Sequence, residues 1–209
     1  MELDERTLQA VAAYDDHASD HQSAHRLRRP LADIRRFADM AERDDLVLDV
    51  ACGPASDLRL LRDTGVHPVG IDLSSGALDV ARMLLPRHPL VQAPLHDPPF
   101  VDRSFRGLWM SGSFTHLPRS QWQETFARLL RLLEHGPVYL SCLRGTHDME
   151  PSDDPVLGAV HVSEAVEPEI AEMFAARGLV DVTVEVRPDP ILDRRRLWVV
   201  ALGRLPRRG

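Results

Sequence analysis

Short apolar runs alternate with amphipathic stretches along most of the chain. The runs predict strands over residues 46–51, 68–72, 90–93, 105–111 and 138–143, the last opened by Gly136-Pro137. The stretches between them predict helices over 55–63, from an N-cap at Ser74 to about 85, and over 119–134. A helix over 163–177 stops at Gly178, where a C-cap glycine belongs, and strands follow at 179–186 and 196–202. Upstream, residues 7–41 predict two helices split near Arg29-Pro30, because proline suits a first turn and breaks a helix interior. Leu27, Leu31, Ile34, Phe37 and Ala38 recur at helical spacing and predict one core-facing stripe. Residues 145–162, acidic and rich in proline and glycine, predict a mobile loop or lid.

This order implies an α/β architecture: a mostly parallel sheet with right-handed crossovers and helices on both faces. No helix separates the last two strands, so they imply an antiparallel C-terminal hairpin at one edge. With 209 residues, the simplest organisation is one domain over 1–209, with 1–44 as an N-terminal helical cap.

Chemistry concentrates in the first βαβ unit. An apolar run ends in Asp49 and the small-residue turn Ala51-Cys-Gly-Pro-Ala55, and a second run ends in Val69-Gly-Ile-Asp72. Two strands that deliver their C-terminal ends to one crevice make a nucleoside site. Asp72 follows Gly53 by 19 residues, close to the roughly 20 expected for an acid that accepts bonds from ribose hydroxyls. Small side chains at the turn let backbone approach a ligand closely. A nicotinamide-dinucleotide site would want Gly-x-Gly-x-x-Gly for its pyrophosphate, and here Gly53 stands alone.

An apolar strand, Asp, then a turn of the type small-Cys-Gly-Pro-small resembles motif I of the class I S-adenosylmethionine-dependent methyltransferases, of the small-molecule type. The segment Gly107-Leu-Trp-Met-Ser-Gly-Ser-Phe-Thr-His-Leu-Pro118 is similar to the strand-four segment of that family, and the resemblance runs from about Leu46 to Leu202. It implies a Rossmann-like doubly wound sheet of seven strands, six parallel and one antiparallel. It implies S-adenosylmethionine as cofactor and S-adenosylhomocysteine as product. The cofactor-binding residues it implies are Asp49, Ala51, Cys52, Gly53, Asp72, Leu73, Leu95, Met110 and Ser111. Tyr14 resembles the N-terminal tyrosine that covers the cofactor in many relatives, with a core tyrosine as the alternative. His116 falls where the family places a residue beside the transferred methyl, as general base or substrate ligand, or as a loop hydrogen-bonder. Asp49 either orients the turn or interacts indirectly with the methionine portion. The chain departs from the family in alanine at 51 and 55, where glycine is favoured, and in Pro94, where many relatives carry an adenine-binding Asp; Asp97 reads as a loop acid.

The remaining composition narrows the partners. A formal charge of −7 argues against a nucleic-acid partner, although arginines cluster at 194–196 and 204–208. All 25 basic residues are Arg, which points to a GC-rich bacterial genome. No apolar run approaches the roughly 20 residues needed to cross a bilayer, and the acidic N-terminus carries no signal-peptide core, so the expectation is a cytoplasmic protein without a membrane partner. Cys52 and Cys142 read as buried thiols. His17, His21 and His25 share a helical face at a spacing suited to a metal pair, but a solvated or half-buried face accounts for them, and no metal is expected. The expectation is methyl transfer to a small-molecule nucleophile (O, N, S or C), with a cofactor-binding protein that is regulatory or catalyses a non-methylating reaction as the alternative.

Overall fold

Parallel pairing of apolar strands builds the centre of the molecule. The computed structural model describes residues 3–25, 30–189 and 196–207. Strands β1 (Leu46–Val50), β2 (His67–Asp72), β3 (Leu90–Gln92), β4 (Gly107–Ser111) and β5 (Gly136–Leu143) are joined through helix α3 (Ser56–Arg62) after β1, α4 (Ser75–Leu84) after β2 and α5 (Arg119–Arg131) after β4, with a helix-free segment between β3 and β4. β8 (Val180–Pro188) and β9 (Leu197–Leu205) complete a seven-stranded sheet of order β3-β2-β1-β4-β5-β9-β8. β9 runs antiparallel to both β5 and β8, so β8 forms the edge. This is the class of sheet the alternation implied.

Strand alternation sorts the core into two layers. Leu48, Val50, Leu108, Met110 and Leu140 pack with Trp122, Phe126 and Leu129 of α5. Val47, Trp109 and Tyr139 face the other way, onto Ile34 and Phe37 of α2 (Leu31–Ala38). The Trp109 and Tyr139 rings stack at 3.8 Å, and Phe37 meets Trp109 edge-on at 5.4 Å. Leu31 is 40% exposed and drops out of the expected stripe; Leu27 and Arg29 lie outside the described residues. Both cysteines are free and buried, and burial pushes the Cys142 thiol up to about 12.

Two expectations change. Residues 145–162 are not an irregular loop: β6 (Glu150–Asp154) and β7 (Gly158–Val162) pair as a separate antiparallel hairpin. Its turn is closed by Asp154 Oδ1, which accepts from the backbone N–H groups of Val156 (2.9 Å) and Leu157 (3.1 Å). Helix α6 (Glu167–Ala175) starts later than residue 163, because Ser163 is drawn to the hairpin base, where its hydroxyl donates to Asp148 and accepts from Met149 N–H. Proline in the first turn and the Glu169 carboxylate accepting from Val166 N–H set the new start. The two expected N-terminal helices are present as α1 (Glu5–His25) and α2, and α1 carries non-helical backbone at His17 (φ −115°, ψ 18°).

Candidate active site

The turn after β1 is built from left-handed backbone at alternate residues: φ is 53° at Ala51, 52° at Gly53 and 63° at Ala55. For an L-residue that conformation costs roughly 1–2 kcal/mol. Both alanines are therefore strained, and Ala51 is no milder a departure from glycine than Ala55. Cys52 N–H donates to Ile71 O at 3.0 Å, which holds the turn against β2. A Cβ added to Gly53 would meet no atom within 4 Å, so this residue borders open space.

Asp72 closes the crevice from the other side. One carboxylate oxygen accepts from Gly53 N–H and the other from Ser74 N–H, both at 2.8 Å. Burial raises its pKa, against the lowering effect of these bonds. Ser74 caps α4, its hydroxyl accepting from Ala77 N–H. Asp49 lies behind the turn at 2% exposure, and its Oδ2 has no hydrogen-bond partner. Burial pushes its pKa well up, and the charges of Asp57 and Asp72 add to the effect.

The roof comes from α1 and the hairpin. Asp15 Oδ1 accepts from Ser74 Oγ (2.6 Å) and Gly76 N–H (2.8 Å), which pins α1 to the start of α4. The approach is tight: a Cβ on Gly76 would stand 2.5 Å from Asp15 O. Thr7 donates to His116 O at 2.6 Å, and Arg6 donates to Met149 O at 3.3 Å. Under this roof His116 Nδ1 stands 2.8 Å from His161 O. A carbonyl can only accept, so Nδ1 carries the proton and the neutral ring presents a lone pair at Nε2. Burial lowers the pKa of His116, favouring that neutral form. Nε2 faces the Tyr14 hydroxyl at 3.5 Å, and the Tyr14 ring meets His21 edge-on at 4.8 Å.

A cavity of about 200 Å³ brings together Tyr14, Asp49, Ala51, Cys52, Gly53, Asp72, Leu73, Leu95, Ser111 and His116. Met110 does not join them. It is fully buried in the core, because alternation along β4 sends it to the face opposite Trp109. Asp97 is solvent-facing, its side chain 80% exposed, while Pro94 borders the cavity. Sequence reasoning missed Asp57, which lines the site and accepts from Trp109 Nε1 at 2.9 Å, and also missed the wall made by Asp154, Arg196 and Trp198. Adjacency to the turn could have flagged Asp57; nothing local could have flagged the others. Among the described residues no cluster of His, Cys, Asp or Glu could hold a metal ion. His21 lines the cavity and His25's side chain lies outside the described residues. Of the arginine clusters, Arg194 and Arg195 are outside them, Arg204 pairs with Asp181 at 2.9 Å and Arg207 with Glu42 at 2.6 Å. No described helix is long and apolar enough to cross a membrane.

These residues fit a nucleoside bearing a cationic amino-acid tail. The turn leaves side-chain-free space over Gly53, Asp72 can accept from ribose hydroxyls, and the unpartnered Asp49 Oδ2 suits a positively charged donor. Residues 47–136 match a family described as a methyltransferase domain. Among solved structures, DhpI in its SAH complex is similar at TM-score 0.73 and 16% identity, over 97% of this chain and 98% of that one. The Burkholderia thailandensis 1,6-didemethyltoxoflavin-N1-methyltransferase, with 1,6-didemethyltoxoflavin and S-adenosylhomocysteine bound, is similar at 0.63 and 19%, over 98% and 92%. The [4+2]-cyclase SpnF is similar at 0.63 and 14%, over 85% and 81%. No curated protein matches the chain.

Proposed function

We propose, from the premise that this chain carries a methyltransferase domain in the class I S-adenosylmethionine-dependent fold, that it methylates a small molecule at an O, N, S or C nucleophile. The observation that carries this reading is one roofed cavity holding both the Asp72–Gly53 bridge and the Nε2 lone pair of His116. When bound, S-adenosylmethionine supplies a methyl group on a sulfonium, whose transfer leaves a neutral thioether. Asp72 would accept from the ribose hydroxyls, the backbone of Ala51, Cys52 and Gly53 would lie under the nucleoside, and Leu73 and Leu95 would flank adenine. Asp49 would face the cationic tail, and Ser111 the methionyl chain. Tyr14 would close over the methyl region from α1.

His116 is the proton acceptor in this reading. Its Nδ1–H is fixed on His161 O, so Nε2 carries the lone pair, and an O–H or N–H acceptor would replace the long 3.5 Å Tyr14 contact there to give up its proton. The rest of catalysis is placement: the roof excludes water and holds the reactants in line. A covered cavity supports a small acceptor, and the similar Burkholderia thailandensis enzyme binds one.

Titration calorimetry tests the reading. S-adenosylmethionine and S-adenosylhomocysteine should bind and NADH should not. Asp72→Ala should weaken both by about 30-fold or more, the scale of losing charged hydrogen bonds. Binding without turnover across acceptors would instead support the non-methylating alternative, and failure of both nucleosides to bind would overturn the assignment.

A further inference from the structure

The cavity wall carries a polar pair that the proposed cofactor contacts do not use. Asp154 and Arg196 both line the cavity, with side chains 16% and 26% exposed. Arg196 Nη2 donates to Ser152 Oγ (2.7 Å) and is 3.4 Å from Asp153 O. Its Nη1 stands 3.5 Å from Asp154 Oδ2, beyond a good hydrogen-bond length, and Asp154 spends only Oδ1 on its turn. One donor and one acceptor therefore lie side by side, loosely matched and facing the chamber. Around them the wall is apolar: Leu143, Leu157, Val160 and Val162 form one buried cluster, with Tyr14 and Trp198 packed against it.

We infer that this site takes a flat, uncharged acceptor molecule whose ring edge carries an adjacent hydrogen-bond acceptor and donor, as in a lactam, read by Arg196 Nη1–H and Asp154 Oδ2; the inference rests on the methyl-transfer reading above. A carboxylate at Arg196 would lie against the Asp154 charge in a largely desolvated pocket, and an ammonium would lie against the guanidinium. A group offering C=O to the arginine and N–H to the aspartate satisfies both atoms without net charge. The aromatic side chains of Tyr14 and Trp198, both lining the cavity, supply apolar surface for such a ring. His116, which lines the same cavity, would meet the ring's nucleophile at Nε2.

The test is equilibrium binding to the S-adenosylhomocysteine-loaded protein, by calorimetry, with 7-hydroxy-2-quinolinone, its N-methyl derivative and its 4-carboxylate. The free lactam should bind about ten-fold tighter than either derivative. Asp154→Asn, which keeps an acceptor for the turn, should shrink the penalty for N-methylation, and Arg196→Gln should weaken the lactam. Tighter binding of the carboxylate, equal binding of the N-methyl derivative, or no binding of any member to the loaded protein would overturn the inference. Failure of S-adenosylhomocysteine itself to bind would strike the methyl-transfer reading instead.

Discussion

Ala55 and His116 are each held in a constrained state by their surroundings. Ala55 holds φ at 63° ahead of α3. Glycine there would relieve about 1–2 kcal/mol of left-handed strain and add about 0.5–1 kcal/mol of chain entropy. Loss of its buried methyl costs about 0.8 kcal/mol, so the opposing effects nearly cancel and Ala55→Gly should leave Tm within about 3 °C of the wild type. Thermal denaturation that showed a larger fall would contradict the strain. His116 titrates below its ordinary 6.5, chiefly because burial disfavours the charged ring. Its base form should thus persist into mildly acid solution, and the acid limb of kcat/KM should lie below 6.5. Linkage has the same origin. Between 6.5 and the lowered value the unfolded chain binds the proton more readily, so stability falls as pH falls through that window. His116→Asn should remove that dependence and reduce kcat by about 10²–10⁴-fold. A limb at or above 6.5 would rule His116 out as the group observed.

At the scale of elements, the contact between α1 and α4 decides whether the site has a roof. Gly76 lies in the first turn of α4, where alanine would ordinarily be favoured by about 1 kcal/mol. Here its Cβ would stand 2.5 Å from the Asp15 carbonyl, and backbone cannot swing aside as a long side chain can. Gly76→Ala should leave the sheet folded, break the Asp15 bonds to Ser74 and Gly76, and displace Tyr14 from His116. The expected readout is a KM for the acceptor raised about ten-fold or more, with far-ultraviolet circular dichroism unchanged; wild-type kinetics would show that α1 does not roof the site. None of this was legible locally, because Asp15 finds its partners about 60 positions away. The βαβ elements were legible because each is an apolar run closed by its own turn residues. The hairpin was not: the acidic residues and prolines of 145–162 read as a loop, although Val160 and Val162 alternate with exposed or half-buried neighbours as an inward-facing strand does. The same alternation, phased on Trp109, places Met110 on the α5 side of the sheet, so its absence from the cavity was legible in the β4 pattern itself.

The whole molecule divides its labour along the chain. The family match spans residues 47–136, which hold Asp49, the left-handed turn, Asp72, Leu95, Ser111 and His116. The cavity-lining residues assigned to the acceptor in the proposals above lie outside it: Tyr14 on α1, Asp154 in β6, Arg196 just before β9 and Trp198 within it. That division explains why the cofactor side could be read from motifs and the acceptor side could not. Backbone turns and strand-end carboxylates recur at fixed spacing, whereas the acceptor wall is assembled from α1, the hairpin and β9, at opposite ends of the chain. It also gives His116 its double allegiance. It belongs to the matched segment by sequence, but its tautomer is set by His161 from the hairpin and its outer nitrogen is met by Tyr14 from α1. In the proposed mechanism, the Nε2 lone pair is therefore set only when α1 and the hairpin are both seated. On the proposed function, acceptor recognition and the protonation state of His116 thus rest on the same contacts, those of α1 and the hairpin.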